Sequence, residues 1–266
     1  MVTLYGPAPG QPEAQRCGEV GRVAVLSDVN ANVPALRAVL EEAGSDGAEL
    51  FVFTGNLTWG AEPEQTAELV KALGDRAVCL RGNTDRALVD LATATRAPRG
   101  PREAWMLNQH SIDTVRLLAG FAFGAVVGVP GLGDVRLCHG SPRSDTELVT
   151  PRTPESRFAA LAHGMDERTL VTGHTQLQFD RELTGCRSVG PGSIGMPHHI
   201  GTPGTAHWAM LGPGVELRRT RYDVSEAARR GVRAGDPSAE IIAWMLHNAL
   251  TPAEATAEAE RLVFSG

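Results

Sequence analysis

The chain has 266 residues and 42% hydrophobic content, enough for one large domain or two small ones whose core needs no metal or disulfide staple. Its formal net charge of -6 argues against a protein that grips nucleic acid or an anionic membrane by bulk charge, and Lys71 is its only lysine. No segment reaches the ~20 apolar residues of a membrane span, and the opening, with Pro7, Pro9, Gly10 and Pro12, lacks the apolar run of a signal peptide, so residues 1–20 read as a flexible N-terminal extension of a cytoplasmic protein.

The first strong element is Val23 to Leu26, a continuous apolar run of the kind a strand buried on both faces shows. It stops at Ser27-Asp28, and a helix follows with Asn32 as N-cap, Pro34 in its first turn, Leu36, Val39 and Leu40 on one face, and Gly44 as its stop. Glu49 to Thr54 is a second strand, ending in the polar loop Gly55 to Gly60; a helix from about Pro63 is closed by Gly74. Ala77 to Leu80 is a third strand, ending in the polar loop Arg81 to Arg86.

The Pro/Gly break at Arg96 to Arg102 precedes one helical segment, Glu103 to Leu118, and the span of about 96–120 reads as a helical insertion. Phe121 to Val129 and Val135 to Cys138 read as β, the second ending at His139-Gly140-Ser141-Pro142-Arg143. After a helix near Pro154 to Ala162, the strand Thr169 to Thr172 ends in Gly173-His174-Thr175-Gln176. Cys186 to Val189, His207 to Leu211 and Val215 to Tyr222 are β, and residues 225–266 form helices packed on the same domain. One of these starts at Asp236-Pro237 with Ile241, Ile242, Met245 and Leu246 inward; Thr251-Pro252-Ala253-Glu254 caps the last. Cys17, Cys79, Cys138 and Cys186 have no paired spacing, which suits reduced thiols better than a zinc or CxxC site.

Strand after strand ends in a polar amide, acid or imidazole, a pattern that packing alone does not ask for. It points to one shared site at the strand ends, where α/β sheets hold their ligands. The candidates are Asp28, Asn30, Asn56, Asn83, Thr84, His139, His174 and Gln176, with Arg81, Arg86 and Arg143 beside them as groups able to engage an anion.

In order and local text these strings resemble the calcineurin-like metallophosphoesterases, particularly their small bacterial phosphodiesterases and phosphatases. The family motifs D-x-H, G-D, G-N-H-[DE], G-H or H-G, and G-H-x-H correspond to SDVN, TGNL, RGNTD, CHGSPR and TGHTQ here, with PGSIGMP near the end. The resemblance spans roughly Arg22 to Val224 and implies an α/β fold for residues 21–224: a β-sandwich of two mixed sheets flanked by helices, four layers α/β/β/α. It also implies two metal ions. One ion's set survives as Asn83, His139 and His174; of the other's, only Asp28 is kept. Asn30 and Gln176 stand where imidazoles belong, Asn56 replaces the bridging carboxylate, and Thr84 replaces the histidine that assists the leaving group.

Neutral amides hold divalent ions weakly, and two ions about 3.5–4 Å apart need a bridging anion to coexist. The expectation is therefore a protein that has lost the dinuclear centre and binds a phosphorylated or anionic small molecule, or serves other chemistry with Asp28, His139 and His174 as acid–base groups. Asn30, Asn56, Asn83, Thr84, Gln176 and Arg143 would orient that ligand. The alternatives are a phosphatase or phosphodiesterase with one weakly held divalent ion (Mn, Fe, Zn or Mg) on Asn83, His139 and His174, and a structural or regulatory partner with a vestigial pocket. His198 and His199 are candidates for replacement ligands; neither a membrane nor a nucleic acid is expected as partner, and a homo-oligomer is open.

Overall fold

The strand Val23–Leu26 (β2) shows how the layers arise. Successive side chains of a strand point to opposite faces, and here both faces are apolar and fully buried: Ala24 and Leu26 enter one core, Val23 and Val25 another. Leu50–Phe53 (β3) repeats the division, Phe51 and Phe53 on one side, Leu50 and Val52 on the other. A sheet with two apolar faces must be covered twice.

In a computed structural model, which describes residues 4–183, 185–199 and 202–264, both coverings are present. β2 and β3 lie in a five-stranded sheet with Ala77–Cys79 (β4), Thr205–Leu211 (β10) and Val215–Arg221 (β11), in the order β11-β10-β2-β3-β4. Its outer face packs on Val33–Ser45 (α1), Pro63–Lys71 (α2), Asn83–Ala92 (α3), Pro101–Asn108 (α4) and Ile112–Ala119 (α5) through Leu36, Val70, Leu88, Met106 and Leu118. The inner face meets a six-stranded sheet of Gln15–Glu19 (β1), Gly124–Val129 (β5), Gly133–Cys138 (β6), Thr169–Thr172 (β7), Gln178–Leu183 (β8) and Cys186–Pro191 (β9), ordered β1-β5-β6-β7-β9-β8. A third apolar cluster joins that sheet to Glu155–Leu161 (α6) and Pro252–Phe264 (α9). Three cores between four layers is the α/β/β/α sandwich that the sequence leads one to expect.

Register brings the strand ends level. β2, β3 and β4 run parallel with Leu26 beside Phe53 and Phe53 beside Cys79, while β6 and β7 run parallel with Cys138 beside Thr172. The loops opening at Ser27, Thr54, Leu80, His139 and Gly173 therefore leave the two sheets along one edge of the sandwich.

Several elements depart from expectation. The loose extension over residues 1–20 is corrected: Gln15–Glu19 pairs in parallel with β5, and upstream of it Arg81 donates to the Tyr5 and Gly6 carbonyls while Arg86 lies 3.7 Å over the Tyr5 ring. A polar segment needs no apolar face to add at a sheet edge, because its main chain supplies the bonds. The expected helix 103–118 is two helices, since Ser111 caps a new one by accepting from the Thr114 N–H. Thr84 and Arg86 lie in α3 rather than in a loop, β8 has no counterpart in the sequence reading, and Val224–Arg233 (α7) opens the expected helical tail. In Ala239–His247 (α8) Leu246 is buried as expected, but Ile241 and Met245, expected inward, are 60% and 40% exposed. Among the described residues no helix is long and apolar enough to cross a membrane.

β10 also carries a buried imidazole, His207, seated against Gly192. Burial first, then Arg219, His199 and His198, hold it down to about 4. With the folded value below the unfolded ~6.5, the neutral form's stabilisation is complete above that pH and is lost as pH falls toward 4, amounting to about 2 kcal/mol between pH 7.5 and 5. Urea unfolding at the two pH values is expected to show His207→Gln losing less stability on acidification than the parent; an equal loss in both proteins contradicts this assignment.

Candidate functional site

The backbone of the strand-end loops is unusual before any side chain is considered. Six of the seven described non-glycine residues at positive φ lie in them: Asp28, Asn30, Ala31, Asn56, His174 and Gln176. Each such residue costs on the order of 1 kcal/mol and persists only where the surroundings over-determine it. Here loop grips loop: Asp28, Asn30 and Ala31 donate their N–H groups to the carbonyls of Gly55, Asn56 and Leu57, and Ile194 and Gly195 donate to Ser27 and Asp28. Gly55, at φ +101°, is required by space, because a Cβ there would lie 2.6 Å from His139 Nδ1 and 2.7 Å from Gly82 Cα.

At the centre is Asp28, fully buried. Its Oδ2 accepts from Ser27 Oγ at 2.6 Å and from the His174 N–H at 3.1 Å, and its Oδ1 accepts from Asn56 Nδ2 at 3.0 Å. Burial pushes the carboxyl above its ordinary range, against the pull of Ser27, His174 and Asn56. Asn56 is held at its other end too, since its Oδ1 accepts from both the N–H and the Oγ1 of Thr84, at 3.0 and 2.7 Å. Asp28, Asn56 and Thr84 thus form a continuous hydrogen-bonded chain across two loops and the start of α3.

The imidazoles adjoin that chain. His139 and His174 lie with ring centroids 4.9 Å apart, and burial holds each down to about 4, helped for His174 by His139. Both rings are therefore neutral at pH 7. His139 Nδ1 donates to the Thr54 carbonyl at 2.7 Å, which fixes the tautomer and leaves the Nε2 lone pair 2.9 Å from Asn83 Oδ1. Two acceptors at that distance have two solutions. The Asn83 amide can turn end for end so that Nδ2 donates, or a cation can take both lone pairs.

One carboxylate that sequence reasoning passed over holds these loops in place. Asp85, buried, accepts from the backbone N–H groups of Gly82 and Asn56, both at 2.8 Å, and Leu57, at 3.0 Å. Burial raises it to about 6 despite those three donors. The signal was present as an acid three residues after a loop glycine, the spacing of a reciprocal cap at the start of a helix. Ser193 was missed as well; its Oγ donates to the Asp28 carbonyl from the PGSIGMP loop.

The remaining expected residues lie around this cluster. Asn30 Nδ2 donates to the Asp28 carbonyl at 3.0 Å. Gln176 and His174 both line a cleft of about 860 Å³, and Arg143 reaches the same cleft in a bidentate pair with Glu147. Arg81 and Arg86 both pair with buried Asp145, so their charge ties down the N-terminal segment instead of facing a ligand. His198 lines the cleft while His199 Nδ1 accepts from the Thr202 N–H, and among the described residues no group of three or more His, Cys, Asp or Glu could hold a metal ion.

With the geometry in view, residues 22–210 match the model of the calcineurin-like phosphoesterase superfamily domain. Similar solved structures include a metallophosphoesterase from Sphaerobacter thermophilus, 23% identical with a TM-score of 0.70, covering 86% of this chain and 98% of that one. A hypothetical protein from Pyrococcus horikoshii OT3 is 21% identical with a TM-score of 0.72, covering 86% of this chain and 99% of its own. At these identities the likeness is one of fold. No curated protein matches the chain.

Removing Asp85 leaves three buried N–H groups without an acceptor, so Asp85→Ala is expected to cost at least about 3 kcal/mol in urea unfolding. Asp85→Asn, which keeps one acceptor oxygen, should cost less. A variant within 0.5 kcal/mol of the parent, a margin of about the size of ordinary surface substitutions, rules the clamp out.

Proposed function

This chain belongs to the calcineurin-like phosphoesterase superfamily, and we propose that it has given up the dinuclear metal centre and uses the same strand-end site to bind a phosphorylated or otherwise anionic small molecule. The observation that carries this reading is the state of Asn56. Its oxygen already accepts two hydrogen bonds from Thr84 and its nitrogen faces Asp28, so the position that the family resemblance gives to the bridging carboxylate presents no charge and no spare lone pair. Asn30 and Gln176 add only amides, and Thr84 has a hydroxyl where the resemblance implies a proton-donating imidazole. The donor set does not fit two ions.

What it does fit is a neutral polar ligand site. Asn83, Asn30 and Gln176 supply amide donors, and the neutral ring of His139, its Nδ1–H committed to Thr54, offers Nε2 as an acceptor. If chemistry remains, Asp28 with its raised carboxyl and the two lowered imidazoles are the groups able to exchange protons.

A second reading is favoured by one contact, the facing lone pairs of His139 Nε2 and Asn83 Oδ1 at 2.9 Å. One divalent ion could be held there by Asn83, His139 and His174. Bound, it would supply Lewis-acid polarisation of a phosphoryl oxygen.

Metal analysis of protein purified without chelator separates the two readings. We expect well under one ion per chain and no turnover of aryl phosphate mono- or diesters with added Mn²⁺, while Asn30→His, Asn56→Asp, Thr84→His and Gln176→His combined should recruit two ions. One ion per chain, lost in His139→Ala, favours the second reading; two ions and brisk turnover in the parent protein overturn the first.

A further inference from the structure

The cleft of about 860 Å³ beside His174 and Gln176 is far larger than a phosphate requires and falls in the range of sites for drug-sized molecules. Its walls are mostly apolar: Leu148, Leu161, Leu250, Ala259 and Leu262, with Leu4 at one edge. Leu4 and Leu262 are 49% and 69% exposed, although each adjoins a cleft into which apolar surface could be buried. The carboxylates at its rim are paired, Glu147 with Arg143 and Glu258 with Arg261. Part of the wall lies outside the family-matched residues 22–210: Leu4 in the N-terminal segment, Leu250 between α8 and α9, and Ala259 and Leu262 in α9.

We propose that this cleft holds the apolar body of an amphiphilic organic anion, a chain or fused ring of roughly ten carbons whose head group sits against His174 and Gln176. The proposal rests on the reading that the site accepts an anion, and it adds the substrate class. The lining decides the occupant: His174 and Gln176 from the strand-end site share one cleft with Leu148, Leu161, Leu250 and Leu262, so a ligand using both carries a polar and an apolar part.

The test is calorimetric titration of the full-length protein with ethyl, hexyl and decyl phosphate, kept monomeric, and with decanol. Affinity is expected to rise about two- to fourfold per added methylene, as partial to full burial of each CH₂ requires. In the double variant Leu4→Ser, Leu262→Ser, both at exposed positions and uncharged, that increment should shrink at least by half. Equal affinity for ethyl and decyl phosphate, or an increment unchanged in the double variant, overturns the proposal. Decanol binding as tightly as decyl phosphate overturns the anionic head group, and with it the reading beneath, while chain-length dependence would still mark the cleft as an apolar site.

Discussion

The arrangement depends on one buried carboxylate that acts through backbone N–H groups. Asp85 gathers three backbone N–H groups from two loops, Gly82 on its own and Asn56 and Leu57 on the neighbouring one. Without it the ends of β3 and β4 would have no common acceptor, and the backbone that carries Asn56 would lose one of its anchors. With it, Asn56 is oriented so that its oxygen meets Thr84 at the first turn of α3 and its nitrogen meets Asp28 at the end of β2. The left-handed loop residues follow from the same constraint. Loops that must exchange main-chain hydrogen bonds with one another cannot also choose the most comfortable φ.

The site built this way holds little positive charge. Burial makes His139 and His174 neutral near pH 7 and raises Asp28, so neither imidazole offers a charge to a ligand. The nearby arginines do not alter this: Arg81 and Arg86 are committed to Asp145, and Arg143 to Glu147. A ligand entering here meets directed hydrogen bonds more than a field. Recognition of that kind is selective for shape and donor pattern, and it loses less to salt than charge pairing does.

How much of this was legible in the sequence depended on whether the signal was local. Val23–Leu26 and Leu50–Phe53 announce buried strands because both of their faces are apolar, and Asn32 announces its helix because a cap acts within one turn; its side chain does accept from the Ala35 N–H. β1 was illegible because an edge strand held by main-chain bonds leaves no apolar period, and its five residues are polar or small. α3 was hidden because its opening residues, Asn83 and Thr84, read as loop polarity while serving as the helix start. α8 misled in the other direction. Apolar residues at helical spacing normally mark a buried face, and here Ile241 and Met245 point outward. In the site, the residues that make the cluster were all named from the strand-end pattern except Asp85 and Ser193, whose roles are to hold backbone and so show only in three dimensions.

Under the proposed loss of the metal centre, an amide in place of an acid at position 56 has a physical logic that runs in one direction. Asp28 Oδ1 and Asn56 Nδ2 lie 3.0 Å apart, both residues buried. Were residue 56 a carboxylate with no ion between them, two like charges at that distance would repel by about 5 kcal/mol even at an effective dielectric of about 20. One would have to take up a proton or attract a cation. An amide converts that repulsion into a hydrogen bond and gives its oxygen to Thr84, so the same space becomes stable with no ion at all. The replacements at 56 and 84 therefore belong together: Thr84 is the donor pair that makes the amide oxygen at 56 satisfied, and a histidine there would leave Asn56 Oδ1 without its hydroxyl partner. A pocket losing its metals by drift would be expected to strand buried polar atoms. In this one Asp28 and both polar atoms of Asn56 are satisfied, which supports the proposed reorganisation around hydrogen bonds at the centre of the site, while the buried Thr54 Oγ1 and Thr172 Oγ1 at the strand ends have no partner among the described residues.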